Sequence, residues 1–301
     1  MKEEFRFTSS DGKTNNYAVK WIPKEKPKYI LQIAHGMAEH VNRYEDFAKF
    51  LNKNGFLVCG EDHLGHGRTA PTKKDLGYFA ENNGHQLIVK DMKKLHDIIS
   101  AEYPDTPYFL LGHSMGSFLC REFIETYGGC LNGAIVMGTG EHPPIETFFA
   151  KLLCKIVAAF KGWRHRSKLL NKLAIGSYNK RFKPIVTGHE WLCRDDSQAS
   201  RYEGDPYCGY IFTLNGFWNM FDMLAFIRKP KNIAKVPKFL PIFVCSGGDD
   251  PVGAFGKSPR IVYEAFQKAG IKDVKLELYP KDRHEILNEF DQDQVYADIL
   301  N

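Results

Sequence analysis

The stretch Tyr108–Cys120, "YFLLGHSMGSFLC", decides the fold of this 301-residue chain. An apolar run ends at Ser114, and apolar residues at helical spacing begin directly after it. Gly112 and Gly116 flank the serine, so no Cβ atom stands where a very tight turn would collide with it. A turn of this kind lifts a serine hydroxyl above the carboxyl edge of a sheet. The stretch therefore predicts a strand, a tight turn with a nucleophilic serine, and a helix.

Apolar runs that predict strands alternate along the chain with segments that predict helices. The strand candidates are KYILQIAHG, GFLVCGEDHLGHG, YFLLGHSMG, GAIVMGTG, PIFVCSGGDD and VKLELYP. The helix candidates are residues 42–54, 85–102, 115–127 and 258–269, and residues 4–22 predict a hairpin around SSDGKTNN. This alternation is typical of an α/β fold with a mostly parallel sheet and helices on both of its faces.

Residues 141–235 interrupt the alternation. Residues 145–160 carry apolar side chains at four-residue spacing and predict an amphipathic helix, and no clear parallel strand follows them. We therefore expect a core formed by residues 1–140 and 236–301, with residues 141–235 inserted as a helical cap.

A serine nucleophile needs a base, and the base needs an acid that orients it. In folds with this kind of turn, the acid and the histidine follow the serine at the ends of later strands. Asp250 ends the PIFVCSGGDD run and His284 follows the VKLELYP run, so we expect both beside Ser114. Asp249 is the alternative acid, but Asp250 is favoured because the following Pro251 biases it toward an extended conformation.

Three other histidines compete with His284 for a functional role. His113 lies inside the turn, where its side chain is expected to point away from the serine oxygen. His63 and His66 could act with Asp62 as metal ligands, but no matching group of ligands accompanies them. The sequence therefore predicts no metal and no cofactor.

Two backbone N–H groups are predicted to stabilise negative charge on the reacting carbonyl oxygen. Met115 follows the serine at the start of its helix. Met37 lies in the loop after the YILQIA run, where His35 and Gly36 shape the chain.

Five motifs together resemble the monoacylglycerol lipase and lysophospholipase group of α/β-hydrolases, which is sometimes grouped with serine aminopeptidases. These motifs are HGMAEH, DHLGHGRT, GHSMGS, SGGDDPV and RHEILNE, and the likeness covers nearly the whole chain. The resemblance implies the α/β-hydrolase fold and cleavage of a small carboxylic ester, such as a lipid, through an acyl-enzyme. It implies Ser114, Asp250 and His284 as the catalytic triad, with Met37 and Met115 as oxyanion donors. The group usually has a small residue in place of Met37, whose longer side chain is expected to narrow the acyl pocket.

Besides carbon–carbon bond cleavage and acyl transfer, which the same fold can also perform, the sequence leaves two other functions open. An amide hydrolase of the aminopeptidase type would need cap carboxylates that hold a free amine; the candidates are Glu190, Asp195, Asp196, Glu203 and Asp205. A non-catalytic, ligand-binding member of the fold is the second alternative. The cap aromatics could line a pocket or belong to the core; these are Phe212, Phe217, Trp218, Phe221 and Phe226.

The cap also carries a basic, amphipathic segment. Lys151 and Lys155 lie on the 145–160 helix, and KGWRHRSKLLNK follows it. Such a segment can make transient contact with a membrane surface. The interpretation favoured by the sequence is instead that the apolar face packs on the core and the cations are solvated.

Composition and charge narrow the remaining options. The net charge of +5 is modest and the Lys and Arg residues are dispersed, which argues against nucleic acid as a partner. The first residues, MKEEFRFTSSDGKT, lack the apolar region of a secretory signal. Seven scattered cysteines indicate reduced thiols, so a cytoplasmic protein is expected, although pairing of Cys193 with Cys208 stays open.

Overall fold

The short apolar runs form the eight strands of one sheet. The computed structural model describes residues 1–301. In chain order the strands are β1 (Lys2–Thr8), β2 (Asn15–Trp21), β3 (Tyr29–Ala34), β4 (Phe56–Glu61), β5 (Tyr108–His113), β6 (Gly133–Met137), β7 (Ile242–Gly247) and β8 (Val274–Tyr279). Their order in the sheet is β1-β2-β4-β3-β5-β6-β7-β8. Strands β3 to β8 run parallel, and the β1–β2 hairpin continues the sheet in antiparallel pairing.

Ten α-helices accompany the strands. They are α1 (Glu45–Lys53), α2 (Gly84–Glu102), α3 (Met115–Tyr127), α4 (Pro144–Lys161), α5 (Lys168–Ala174), α6 (Asp196–Gly204), α7 (Leu214–Ile227), α8 (Pro230–Ile233), α9 (Lys257–Lys268) and α10 (Gln292–Leu300). Short 3-10 helices cover Val41–Tyr44, Gly128–Cys130, Tyr178–Arg181 and Ile286–Asn288. The predicted alternation of strands and helices is thus confirmed, including the helix expected over residues 145–160.

The two faces of the sheet have separate apolar cores. Phe123 of α3 and Phe266 of α9 belong to the core on one face, and Phe47 of α1 and Tyr296 of α10 belong to the other. Apart from its first residue, β3 is buried throughout, as expected for a central parallel strand that is covered on both sides. The carboxyl ends of the parallel strands therefore meet at one edge of a rigid sheet.

Between β6 and β7 the chain forms the helices α4 to α8 and no strand. Helix α7 packs on α2 and α3, and α4 packs on α7. The predicted insertion thus lies over the core through α7. Its division from the core at residues 141 and 235 stays a prediction.

The sequence favoured packing of the apolar face of α4 on the core. For the largest side chains of this helix that prediction is wrong. Only Thr147, Cys154 and Ala158 of α4 are buried. Six of its long apolar side chains are 43–85% exposed; they are Ile145, Phe148, Phe149, Leu152, Ile156 and Phe160. Leu153 and Val157 are partly buried against the core, so the six exposed side chains lie on the outer side of the helix. We call these six residues the exposed α4 face.

No helix combines the length and the apolar character that crossing a membrane requires. All seven cysteines are free thiols, and Cys193 and Cys208 are not bonded to each other.

A buried charge network joins the cap helices to the core. His85 of α2 donates from Nδ1 to Glu122 of α3 over 2.6 Å and from Nε2 to Asp222 of α7 over 3.2 Å. Lys151 of α4 also pairs with Asp222. Burial alone would lower the pKa of His85, but its hydrogen bonds to Asp222 and Glu122 raise it to about 9. The imidazolium therefore holds three layers of helices together at neutral pH.

We expect this network to make stability depend on alkaline pH. The folded pKa of His85 lies above the unfolded value of 6.5, so its stabilisation is complete below 6.5 and is lost as the pH rises through about 9. Urea unfolding measures the free energy of unfolding below pH 6.5 and above pH 9. This free energy should fall more between the two conditions for the wild type than for His85→Asn. His165→Gln changes a partly exposed histidine, and its free energy of unfolding should depend on pH as that of the wild type does. An equal pH dependence of stability in the wild type and His85→Asn would contradict the role given to His85.

Candidate active site

Strand β5 delivers Ser114 to a strained turn before α3. The serine has φ of 55° and ψ of −119°, in a region that costs a non-glycine residue about 1–3 kcal/mol. A Cβ atom on Gly112 would collide with the carbonyl of Gly116, and one on Gly116 would collide with the carbonyl of Ala34. Glycine at both positions therefore permits this close approach.

His284 and Asp250 meet beyond the carboxyl ends of β8 and β7. The Nδ1–H group of His284 donates to Oδ2 of Asp250 over 2.9 Å. Ser246 donates to the same oxygen over 3.2 Å, and the Val252 N–H donates to Oδ1 over 2.8 Å. The carboxylate is thus fixed by three donors, and Nε2 is left as the basic nitrogen of the imidazole.

The structure separates the two candidate acids. Asp250 is fully buried, whereas the neighbouring Asp249 is exposed. Only Asp250 is in contact with His284. The turn therefore directs one carboxylate toward the imidazole and the other toward solvent.

The loop after β3 lies against the serine. A Cβ atom on Gly36 would stand 3.2 Å from Cβ of Ser114. His35 shapes this loop because its Nδ1–H donates to the Gly36 carbonyl over 2.8 Å, while its Nε2 accepts from the His63 N–H over 3.0 Å. The N–H of Met37 has no hydrogen-bond partner, so it can donate to a bound oxygen.

Met115 is the first residue of α3, directly after the serine. The N–H groups of a first helical turn have no partner within the helix, and they carry the positive end of the helix dipole. Met37 and Met115 therefore present backbone donors on two sides of Ser114.

Sequence reasoning missed a buried ionic network behind the imidazole. Arg43 pairs with both oxygens of Glu285, at 2.7 and 2.8 Å, and with Glu39 at 2.7 Å. Burial alone would raise the pKa of Glu39, but the charge of Arg43 and a hydrogen bond from His113 hold it well below its usual range. His113 also donates from Nε2 to the His284 carbonyl over 3.2 Å. The network therefore fixes the backbone that carries the imidazole.

The cap contributes a second contact to His284 that the sequence did not reveal. The indole of Trp191 lies 5.1 Å from the His284 ring, measured between ring centres. The His284 N–H donates to the Trp191 carbonyl over 3.3 Å, and the Glu285 N–H donates to the Leu192 carbonyl over 2.6 Å. Two backbone hydrogen bonds thus tie this part of the cap to the loop that carries His284.

A cavity of about 770 Å³ extends from these groups into the cap. Ser114, His284, Met37 and Met115 line one end of it. Apolar cap side chains line another part; they include Phe149, Leu153, Leu170, Leu173 and Phe221. The space is large enough for a lipid-sized acyl chain.

The other residues singled out in the sequence have structural places. Asp62 accepts hydrogen bonds from the N–H groups of Val41 and Arg68, while the His63 and His66 rings pack beside His35 in the core. Burial lowers the pKa of His63 to about 4. Of the five cap aromatics, Phe212 and Phe217 are fully buried in the core, whereas Phe221 lines the cavity.

Comparison with known proteins supports the resemblance found in the sequence. Residues 25–291 match the family described as "Serine aminopeptidase, S33". The chain belongs to this family. The monoacylglycerol lipase of Mycolicibacterium smegmatis is 26% identical over 301 residues, which are all of this chain and 96% of that protein. The monoglyceride lipase homolog of Monkeypox virus is 38% identical over 78% of this chain and 76% of its own length.

A solved structure gives the same result for the fold. The thermostable carboxyl esterase of Bacillus coagulans, in complex with glycerol, has a TM-score of 0.92 and 30% identity, covering 99% of this chain and 96% of the esterase. Matches to mammalian monoglyceride lipases span about half the length of those proteins. These comparisons confirm three predictions for the chain. It has the α/β-hydrolase fold, it belongs to the monoacylglycerol lipase group, and it is a carboxylic ester hydrolase.

Proposed function

We propose that this hydrolase cleaves monoacylglycerols into a fatty acid and glycerol, with Ser114, Asp250 and His284 as its triad. The observation that carries the proposal is the juxtaposition of the Asp250–His284 pair, Ser114 and two free backbone donors at one end of an apolar cavity. The names of its relatives and the glycerol complex of the Bacillus coagulans esterase support the same substrate class.

The mechanism follows from the proton each group can hold. His284 Nε2 takes the proton of the Ser114 hydroxyl as its oxygen attacks the ester carbonyl. Asp250 keeps Nδ1 protonated and stabilises the imidazolium. The N–H groups of Met37 and Met115 donate to the developing oxyanion, each contributing about 3 kcal/mol. His284 then protonates the departing glycerol oxygen, and a water molecule that it activates releases the fatty acid.

The lining of the cavity favours an acyl chain over a peptide. Its wall in the cap is formed largely by apolar side chains of α4 and α5. None of the cap carboxylates considered as amine ligands lines it. Glu190 binds the backbone N–H groups of residues 186–188, Asp195 caps α6, and Asp205 pairs with His40. Glu146 of α4 is the one cap carboxylate in the lining, so the five carboxylates named from the sequence give the aminopeptidase alternative no support.

A substrate comparison tests the proposal. The purified protein is assayed with monooleoylglycerol, lysophosphatidylcholine, a short p-nitrophenyl ester and an aminoacyl p-nitroanilide, with Ser114→Ala as a blank. We expect the highest kcat/KM for the monoacylglycerol. Faster cleavage of the anilide would overturn the ester proposal, and a preference for the short ester would overturn the lipid substrate.

We also propose that the exposed α4 face inserts transiently into lipid surfaces, where such substrates reside. Phe149 on this face and Leu173 of α5 are exposed and also line the cavity, so the mouth opens within the apolar surface. Exposed cations stand beside it; they are Lys155, Lys161, Lys168 and Lys172. An apolar face beside basic residues is typical of a helix that lies in an anionic membrane interface.

Removing two apolar side chains from the exposed α4 face should weaken vesicle binding. Phe148→Ser with Ile156→Ser should lower binding to mixed phosphatidylcholine and phosphatidylglycerol vesicles by about tenfold or more, since each buried side chain contributes about 1.5–3 kcal/mol. Co-sedimentation measures the loss, and hydrolysis of a soluble short ester should be unchanged. Ile261→Ser, an equally exposed site on α9, is the control. Unchanged sedimentation of the double variant would refute the contact.

A cytoplasmic location also stays a proposal. The seven unpaired thiols support it, because a reducing compartment keeps cysteines in this form.

A further inference from the structure

A second cluster of reactive side chains lies where the cap meets the loop after β3. Nε2 of His40 lies 2.8 Å from Oδ2 of Asp205. Sγ of Cys208 joins them, and the three atoms all lie within 4.8 Å of one another. The thiol has no hydrogen-bond partner in the structure, and none of the three side chains lines the catalytic cavity.

We propose that His40, Asp205 and Cys208 form a binding site for a zinc ion. Imidazole nitrogen, thiolate sulfur and carboxylate oxygen are the three kinds of donor that Zn²⁺ uses in proteins. Mg²⁺ and Ca²⁺ prefer oxygen ligands, so a sulfur and a nitrogen in a set of three select against them. Three protein ligands leave a fourth, tetrahedral position for a water molecule.

The cluster needs only small side-chain movements to accept the ion. Zinc bonds of about 2.0–2.3 Å hold ligand atoms farther apart than the 2.8 Å between His40 and Asp205. The separation they require lies within the 4.8 Å that bounds the three ligand atoms. His40 and Asp205 are partly exposed, with side-chain exposures of 13% and 28%, so an ion can reach them from solvent. Binding replaces their mutual hydrogen bond with two metal bonds.

Zinc binding releases one proton at neutral pH. The thiol of Cys208 gives its proton to solvent as the zinc–thiolate bond forms, and His40 binds through the Nε2 that faces Asp205. Affinity should therefore increase with pH.

The ion would connect the cap to the loop that carries an oxyanion donor. His40 lies three residues after Met37, and Ala38 between them already accepts hydrogen bonds from the Tyr202 hydroxyl and the Gly209 N–H, each over 3.0 Å. Asp205 and Cys208 lie within the same cap segment. Bound zinc would thus add an adjustable cross-link beside two fixed hydrogen bonds. We expect it to raise the Tm of the protein, because an ion that binds only the folded state stabilises it.

Metal titration of the chelator-treated full chain tests the site. We expect one Zn²⁺ per chain by calorimetry, a rise in Tm that EDTA reverses, and tighter binding at higher pH. Co²⁺ in the same site should give the near-ultraviolet absorption of a thiolate–cobalt bond. Cys208→Ser should abolish this absorption and weaken zinc binding at least tenfold, and Asp205→Asn should weaken it as well.

A matched cysteine variant distinguishes this site from general thiol binding. Cys130→Ser removes another partly buried thiol and should keep the stoichiometry, the cobalt absorption and the rise in Tm. Absence of zinc binding to the wild type, or cobalt–thiolate absorption that persists in Cys208→Ser, would overturn the proposal. Zinc binding and cobalt absorption are measured without ester hydrolysis, so their outcome does not depend on the proposed function.

Discussion

Replacing Ser114 with alanine is expected to lower kcat for ester hydrolysis on the order of 10⁶-fold, because the triad acts as a unit and the attacking oxygen is lost. The variant should fold normally, since alanine removes the hydroxyl of a partly exposed residue and adds no atoms to the tight turn. Stopped assays on monoacylglycerol measure the loss, and a fluorophosphonate probe measures whether the hydroxyl is reactive.

The probe also separates an enzyme from a ligand-binding member of the fold. Wild-type protein should be labelled at Ser114 and the alanine variant should not. An alanine variant that kept most of its esterase activity would show that another nucleophile performs the reaction. An unlabelled but folded wild type would favour a binding protein.

Replacing Asp250 with asparagine is expected to lower kcat about 10⁴-fold, as the same change does in serine triads on other folds. The amide cannot stabilise the imidazolium, and it can favour the tautomer with the proton on Nε2. The Val252 N–H can still donate to an amide oxygen at the Oδ1 position, and the Ser246 hydroxyl can rotate to accept from the amide NH2 at the Oδ2 position, so the turn should keep its shape.

Asp249→Asn provides a matched control in the adjacent position. Asp249 is exposed and is not bonded to His284, so its variant should retain wild-type kcat and kcat/KM. Both variants should be compared by circular dichroism and thermal unfolding before their rates are interpreted. A large loss in Asp249→Asn with none in Asp250→Asn would reverse the assignment of the acid.

The sequence could predict the sheet and the triad candidates because they depend on local pattern and chain order. Parallel strands place their carboxyl ends at one edge, so Ser114, Asp250 and His284 can be related without knowing any distance between them. The two glycines around Ser114 gave an equally local signal. Each of these three residues is placed by the strand that precedes it. The sheet then brings the ends of the three strands together.

The network around Arg43 could not be predicted, because it depends on a pair separated by 242 positions in the chain. Nothing in the HGMAEH motif identifies Glu285 as a partner that Arg43 shares with Glu39. The exposed α4 face escaped prediction for a different reason. Periodicity shows that a helix has an apolar side, but it does not show whether protein or lipid will cover that side.

Backbone hydrogen bonds from His284 and Glu285 to the carbonyls of Trp191 and Leu192 tie one border of the cap to the loop that carries the imidazole. Movement of the whole cap as a rigid body would carry the imidazole away from its aspartate and interrupt turnover. Ligand exchange is therefore expected at the opposite border, around Phe149 and Leu173, where helices can separate while the reacting groups stay assembled. In this arrangement substrate enters at one border of the cap while the other border stays attached to the core beside His284, so entry leaves the reacting groups in place.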